Sequence, residues 1–192
     1  MKRRLACLIA LVAGTITAAP AAAQSDGPGA ARVTPAAKAR AAYAAMTPTE
    51  RVGQLFMAGL SSTKPSPATL AALRAHHVGN AILDNNSQIG VTATAAVAAT
   101  VDTALTQGDA EPFLATDQEG GEVQRLKGPG FSTIPTALRQ GKLSPATLRS
   151  RATDWGRQLA AAGLTVNLAP VADIVPGPHA TANQPIGRYD RE

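Results

Sequence analysis

Pro112-Phe113-Leu114-Ala115-Thr116, running directly into Asp117-Gln118-Glu119-Gly120-Gly121-Glu122-Val123-Gln124-Arg125-Leu126, decides how this chain of 192 residues is read. The first five residues form an apolar run of strand length, and it ends abruptly in acids, two glycines and an arginine. Such a run reads as a buried strand whose carboxyl end opens a polar loop. In α/β folds ligand sites lie at that end, because the strand fixes positions and the loop supplies the chemistry. Gly120 and Gly121 allow a sharp turn and a close approach of backbone to ligand.

Outward from this segment, helices and strands alternate. Thr47 followed by Pro48 and Glu50 has the layout of a capping box with proline in the first turn, so a helix starts there and runs into the apolar stretch Gln54 to Leu60, which reads as the first strand. Ser66-Pro67 opens a second helix with Leu70, Leu73 and Val78 on its apolar face, and Gly79 to Leu83 reads as a second strand. The Ala- and Thr-rich segment from Val91 to Leu105 is a third helix ahead of the strand at Phe113. Ser144-Pro145 opens a fourth helix, which ends at Gly163 and feeds a strand from Leu164 to Leu168. This alternation predicts an α/β fold, a parallel sheet with helices outside it.

The amino terminus reads as an address. Lys2-Arg3-Arg4, an apolar stretch from Leu5 to about Ile16 and the small residues Ala21-Ala22-Ala23 have the layout of a secretory signal peptide cleaved near Gln24. The apolar stretch is too short for a membrane span. Lys2, Arg3 and Arg4 account for three of the positive charges behind the formal net +5, so nucleic acid is not implied as a partner. Cys7, the one cysteine, lies in the same segment, so the mature chain is expected to have no disulfide, thiolate metal site or cysteine nucleophile. A lipid anchor on Cys7 is disfavoured because Arg4-Leu5-Ala6 leaves no apolar core ahead of it, and Arg3-Arg4 lacks the flanking residues of twin-arginine export. The expected organisation is a signal peptide over 1–23, a flexible Ser-, Gly-, Pro- and Ala-rich leader over 24–34 and a folded part over 35–192, in a secreted or periplasmic protein.

The segment from Pro112 to Leu126 and its continuation Lys127-Gly128-Pro129-Gly130-Phe131-Ser132-Thr133-Ile134-Pro135 resemble the N-terminal domain of the family 3 glycoside hydrolases, above all their β-N-acetylhexosaminidase branch. Three further segments fit the same pattern in the same order. They are Met46-Thr47-Pro48-Thr49-Glu50-Arg51-Val52-Gly53-Gln54-Leu55-Phe56-Met57-Ala58-Gly59, Ala162-Gly163-Leu164-Thr165-Val166-Asn167-Leu168-Ala169-Pro170-Val171-Ala172-Asp173 and Pro185-Ile186-Gly187-Arg188-Tyr189-Asp190-Arg191-Glu192. Four ordered motifs are specific where one alone is weak. The resemblance implies the first half of a (β/α)8 TIM-type barrel, since a complete barrel takes about 250 residues. It also implies an exo-acting, retaining hydrolase that releases N-acetylglucosamine from peptidoglycan fragments or chitooligosaccharides. Its partner is then a carbohydrate substrate, with no cofactor and no metal. The nucleophilic aspartate and the His/Asp acid–base pair of that branch fall beyond Glu192, so the chain alone is expected to be inactive, and a half barrel with an open edge is expected to make an unstable monomer.

By motif match, the resemblance assigns sugar contact to Asp117 and Arg125, and to Arg191 after the Ile-Gly of the last motif, with Arg188 as its competitor. The chemistry fits, because a carboxylate accepts from two adjacent hydroxyls and a guanidinium is a rigid fork of donors. The competing role for Asp117 and Arg125 is an ion pair that only holds the turn. Glu119 is placed one layer behind the groups that touch ligand, and Asp173, closing the apolar run Leu168-Ala169-Pro170-Val171-Ala172 at another strand end, either orients neighbouring loops from that layer or touches ligand itself. Glu119 as a second catalytic carboxylate is disfavoured, since two neighbouring loop acids seldom flank a bond from opposite faces. Glu122 reads as a solvated loop charge, Trp155 as a mid-helix packing residue and His76-His77 as a helix-end pair favoured by the dipole. Three functions stay open: the hexosaminidase, a β-glucosidase or xylosidase of the same family, and a non-catalytic carbohydrate-binding or vestigial protein.

Overall fold

Three of the helices begin where a hydroxyl residue precedes a proline. Thr47, Ser66 and Ser144 are the N-caps, each side-chain oxygen accepting from the amide three residues on, while the proline fills a first-turn position where no donor is missed. In the computed structural model, which describes residues 34–172, the elements run α1 (Pro35–Ala45), α2 (Pro48–Gly53), β1 (Met57–Leu60), α3 (Pro67–Ala75), β2 (Asn80–Leu83) and α4 (Gly90–Leu105). They continue with β3 (Leu114–Thr116), β4 (Gln118–Gly120), β5 (Val123–Gln124), α5 (Ala137–Gln140), α6 (Pro145–Ala161) and β6 (Val166–Asn167). At Thr47 the capping box is closed from both sides, the Glu50 carboxylate accepting from the Thr47 amide at 2.7 Å and from its hydroxyl at 2.8 Å. Helix α4 has no side-chain cap. Instead Gly90 N donates to Lys127 O at 3.1 Å and Val91 N to Pro129 O at 2.9 Å, so a distant loop caps the helix.

Strands β1, β2, β3 and β6 form a parallel sheet in that order, in the α/β arrangement that the alternation predicts. Leu60, Ala81, Leu83 and Leu114 face the helices and pack into one core with Val101, Leu105, Leu126, Leu159 and Leu164. Each buried leucine contributes about 1.5–3 kcal/mol relative to exposure. Residues of the alternate register, among them Met57, Ile82 and Phe113, take the other face, where Met57 is 39% and Phe113 60% exposed. This corrects the reading of Phe113 as part of a buried strand: β3 begins at Leu114, and the Phe113 amide is held by Asn80 Oδ1 at 3.0 Å.

Two further local expectations are corrected. Helix α3 ends at Ala75 in a Schellman turn, with His77 N donating to Arg74 O at 3.1 Å and Val78 N to Leu73 O at 2.9 Å. Val78 therefore lies beyond the helix, and His77, at φ 55°, takes the left-handed position usually given to glycine. Its placement is set by the backbone, with its carbonyl accepting from Gln107 Nε2 at 2.9 Å, and not by the dipole alone. Gly163, at φ 79°, ends α6 in the same way. No described helix is long and apolar enough to cross a membrane. The signal peptide, the leader before Thr34, Asp173, Arg188 and Arg191 lie outside the described residues.

Candidate functional site

At the carboxyl edge of the parallel sheet the chain leaves β3 at Asp117 and folds back on itself. Strands β4 and β5 pair antiparallel, with Gln118 opposite Gln124 and Gly120 opposite Val123, and Arg125 N donates to Asp117 O at 3.3 Å. Gly120 makes the turn at φ 110°, where a Cβ would stand 2.2 Å from Pro135 O, so only glycine fits. This hairpin inside the motif was not foreseen from the sequence.

Three glutamines fasten it. Buried Gln118 donates through Nε2 to Leu126 O at 2.7 Å and accepts at Oε1 from Leu126 N at 3.0 Å, standing in for a missing strand neighbour. Gln124, also buried, donates to Ser132 O at 2.8 Å and accepts from Ile134 N at 2.9 Å. Gln140 of α5 donates to Glu119 O at 2.9 Å and to Pro135 O at 2.7 Å. On the other side, Ser87 N donates to Arg125 O at 2.8 Å and Lys127 N to Ser87 O at 2.9 Å. Arg125 is thus seated by its backbone on both sides.

The side chains brought together are Asp117 and Arg125. Asp117 Oδ2 lies 4.0 Å from Arg125 Nε, beyond hydrogen-bond length, and the arginine and aspartate side chains are 32% and 27% exposed. Arg125 Nη1 makes a long bond of 3.4 Å to Asn86 Oδ1, while its buried Nε has no acceptor. A pair at this distance, with both side chains partly exposed, is worth about 1 kcal/mol. The glutamines and backbone bonds also hold the turn, so it does not depend on the ion pair alone. What remains is an acceptor carboxylate and an under-used guanidinium side by side, open to solvent at a strand end, an arrangement suited to a polyhydroxylated ligand.

The other expected residues fall elsewhere. Glu119 lines a separate cleft of about 330 Å3 between the hairpin, α6 and the end of β6, and neither Asp117 nor Arg125 borders it. Trp155, half-buried, lines the same cleft from α6, and Glu122 is exposed. Among the described residues no group of three or more His, Cys, Asp or Glu side chains is placed to hold a metal ion. Sequence reasoning gave no role to Gln118, Gln124, Gln140 or Asn86. Gln118 and Gln124 were marked only as amides flanking the glycine turn, whereas Gln140 and Asn86 lie far from it in sequence, and the partners of these residues stand up to 39 positions away.

Comparison with known proteins bears on this arrangement. The model of the glycosyl hydrolase family 3 N-terminal domain matches residues 47–186. The crystal structure of a β-N-acetylhexosaminidase from Beutenbergia cavernae aligns at 52% identity with a TM-score of 0.71, over 77% of this chain and 45% of that one. A family 3 β-N-acetylglucosaminidase from Paenibacillus sp. aligns at 30% identity with a TM-score of 0.57, over 66% of this chain and 24% of that one. The curated beta-hexosaminidase LpqI of Mycobacterium tuberculosis is 26% identical over 144 residues, which are 72% of this chain and 34% of LpqI. The chain therefore spans less than half the length of each of these relatives. Residues 47–186 contain the glutamine-fastened hairpin, the parallel strands and the Asp117–Arg125 pair, and on that match the chain belongs to glycosyl hydrolase family 3.

Proposed function

We propose that this chain is the sugar-gripping N-terminal part of a β-N-acetylhexosaminidase-type glycoside hydrolase, acting on N-acetylglucosamine-containing glycans such as peptidoglycan fragments or chitooligosaccharides. The observation that carries this reading is the Asp117–Arg125 pair, held by backbone and glutamines at the carboxyl edge of the sheet and left 4.0 Å apart. A pyranose ring offers adjacent hydroxyls, to which Asp117 accepts and Arg125 donates. The names of the relatives, hexosaminidase and acetylglucosaminidase, support an N-acetylated sugar over glucose or xylose. In this reading the parallel sheet is the first part of a TIM-type barrel, and Arg191 extends the grip. Hydrolysis with retention needs a nucleophilic carboxylate and a proton donor in addition to this grip. Export through the amino-terminal signal places the protein where such glycans occur.

Calorimetric titration of the purified chain with N-acetylglucosamine, against glucose and xylose, tests the reading. Saturable binding preferring the N-acetylated sugar is expected. Equal affinity for all three sugars, or no binding, refutes it.

A further inference from the structure

Asp84 stands at the same level of the sheet as Asp117. Leu83 and Thr116 are paired in register, so the next residues lie side by side on adjacent strands, with backbones about 4.8 Å apart. Leu60 and Leu83 point into the core under the helices, and the residue after each takes the opposite, helix-free face. The Asp84 carboxylate is aimed over that face. A Cβ on Gly59 of the neighbouring strand would stand 2.7 Å from Asp84 Oδ2, so the carboxylate occupies space that the glycine leaves open.

The loop carrying Asp84 is tied to the site already described. Asp84 N donates to Leu60 O at 3.4 Å, the Ser62 hydroxyl to Asn85 O at 2.7 Å, and Asn86 Oδ1 accepts from Arg125 Nη1. Among the described residues none donates a hydrogen bond to the Asp84 carboxylate or pairs with it, and Asp84 is exposed. Exposed, and without a side-chain partner among the described residues, the Asp84 carboxylate fills no packing role, yet it stands at the strand-end level of Asp117.

We infer that Asp84 is a further sugar-binding residue, a second hydroxyl-accepting carboxylate that reads a ring position beyond the reach of Asp117 and Arg125. The inference rests on the reading of this edge as a sugar site. Gly59 serves it by leaving room for the carboxylate.

The test is titration of N-acetylglucosamine into the full chain and into Asp84→Ala, Asp84→Asn, Gly59→Ala and Asp117→Ala, with thermal unfolding of each as a control. Asp84 is exposed and its carboxylate has no partner among the described residues, so its variants should keep the wild-type midpoint. Loss of a charged hydrogen bond predicts about ten- to a hundred-fold weaker binding for Asp84→Ala and a smaller loss for Asp84→Asn. Gly59→Ala should weaken binding in the same direction by pushing the carboxylate aside. Wild-type affinity in Asp84→Ala alongside weakened binding in Asp117→Ala overturns the inference and leaves the sugar site standing. Failure of the wild-type chain to bind the sugar defeats the site itself, and the inference with it.

Discussion

Replacing Gln118 with leucine separates the two ways in which the motif hairpin can be held. The side chain is 4% exposed and makes two short bonds to the backbone of Leu126, itself 0% exposed. Leucine fills nearly the same volume, so the cavity contribution is small. Leu126 O keeps a longer bond of 3.3 Å from Gln124 Nε2, but Leu126 N loses the one acceptor it has among the described residues. One buried, unsatisfied amide costs about 1–3 kcal/mol, so Gln118→Leu should destabilise the chain by about 2 kcal/mol. Arg125→Ala removes a partly exposed pair at 4.0 Å and the long 3.4 Å bond to Asn86, and should cost about 1 kcal/mol or less. Urea unfolding of both variants, with free energies from linear extrapolation, gives the comparison. If Arg125→Ala costs more than Gln118→Leu, the ion pair holds the turn after all, and the argument that frees Arg125 for ligand fails.

The remaining predictions concern binding, backbone and export. Asp117→Ala and Arg125→Ala should each weaken N-acetylglucosamine binding by about 1.5–3 kcal/mol while leaving circular dichroism unchanged; unaltered titration curves in both would sink the site assignment. Gly163→Ala forces a side chain to φ 79° with its Cβ 2.9 Å from that of Ala98, and should cost about 1–3 kcal/mol in denaturant unfolding, whereas a neutral result would show that α6 ends differently. Bonds from the Thr47 amide and hydroxyl hold the Glu50 carboxyl below its usual 4.5, so the unfolded chain takes up that proton first. The stability gap between wild type and Glu50→Gln should therefore be complete above about pH 4.5 and close as pH falls through the lowered value; a gap independent of pH would refute the box. Amino-terminal sequencing of exported protein should find Gln24 at or near the first position, and a cytosolic product starting at Met1 would count against export.

What was legible in the sequence was what neighbours decide. Thr47-Pro48, Ser66-Pro67 and Ser144-Pro145 start helices because cap and amide lie three residues apart, and each apolar run became a strand of the parallel sheet in the expected order. The position of Asp117 at a strand end was legible for the same reason. What stayed hidden depends on partners far along the chain. Helix α4 carries no cap of its own because Lys127 and Pro129 supply one, and Gln118 resembles any polar loop residue until Leu126 folds against it. Asp84 was passed over because only the pairing of Leu83 with Thr116 puts it beside Asp117. Phe113 was misjudged because hydrophobicity tells that a residue favours burial, whereas the sheet face it occupies carries no helix.

The seam that joins the hairpin to α4 makes the start of that helix a gauge of the site. Arg125 O, Lys127 O and Pro129 O, three alternate carbonyls of one strap, accept from the amides of Ser87, Gly90 and Val91. Any ligand that draws the Arg125 guanidinium toward itself loads that strap. The three amides would then exchange with deuterium more slowly, although none of them touches sugar. Their protons give a readout of occupancy that needs no chromogenic substrate and no turnover.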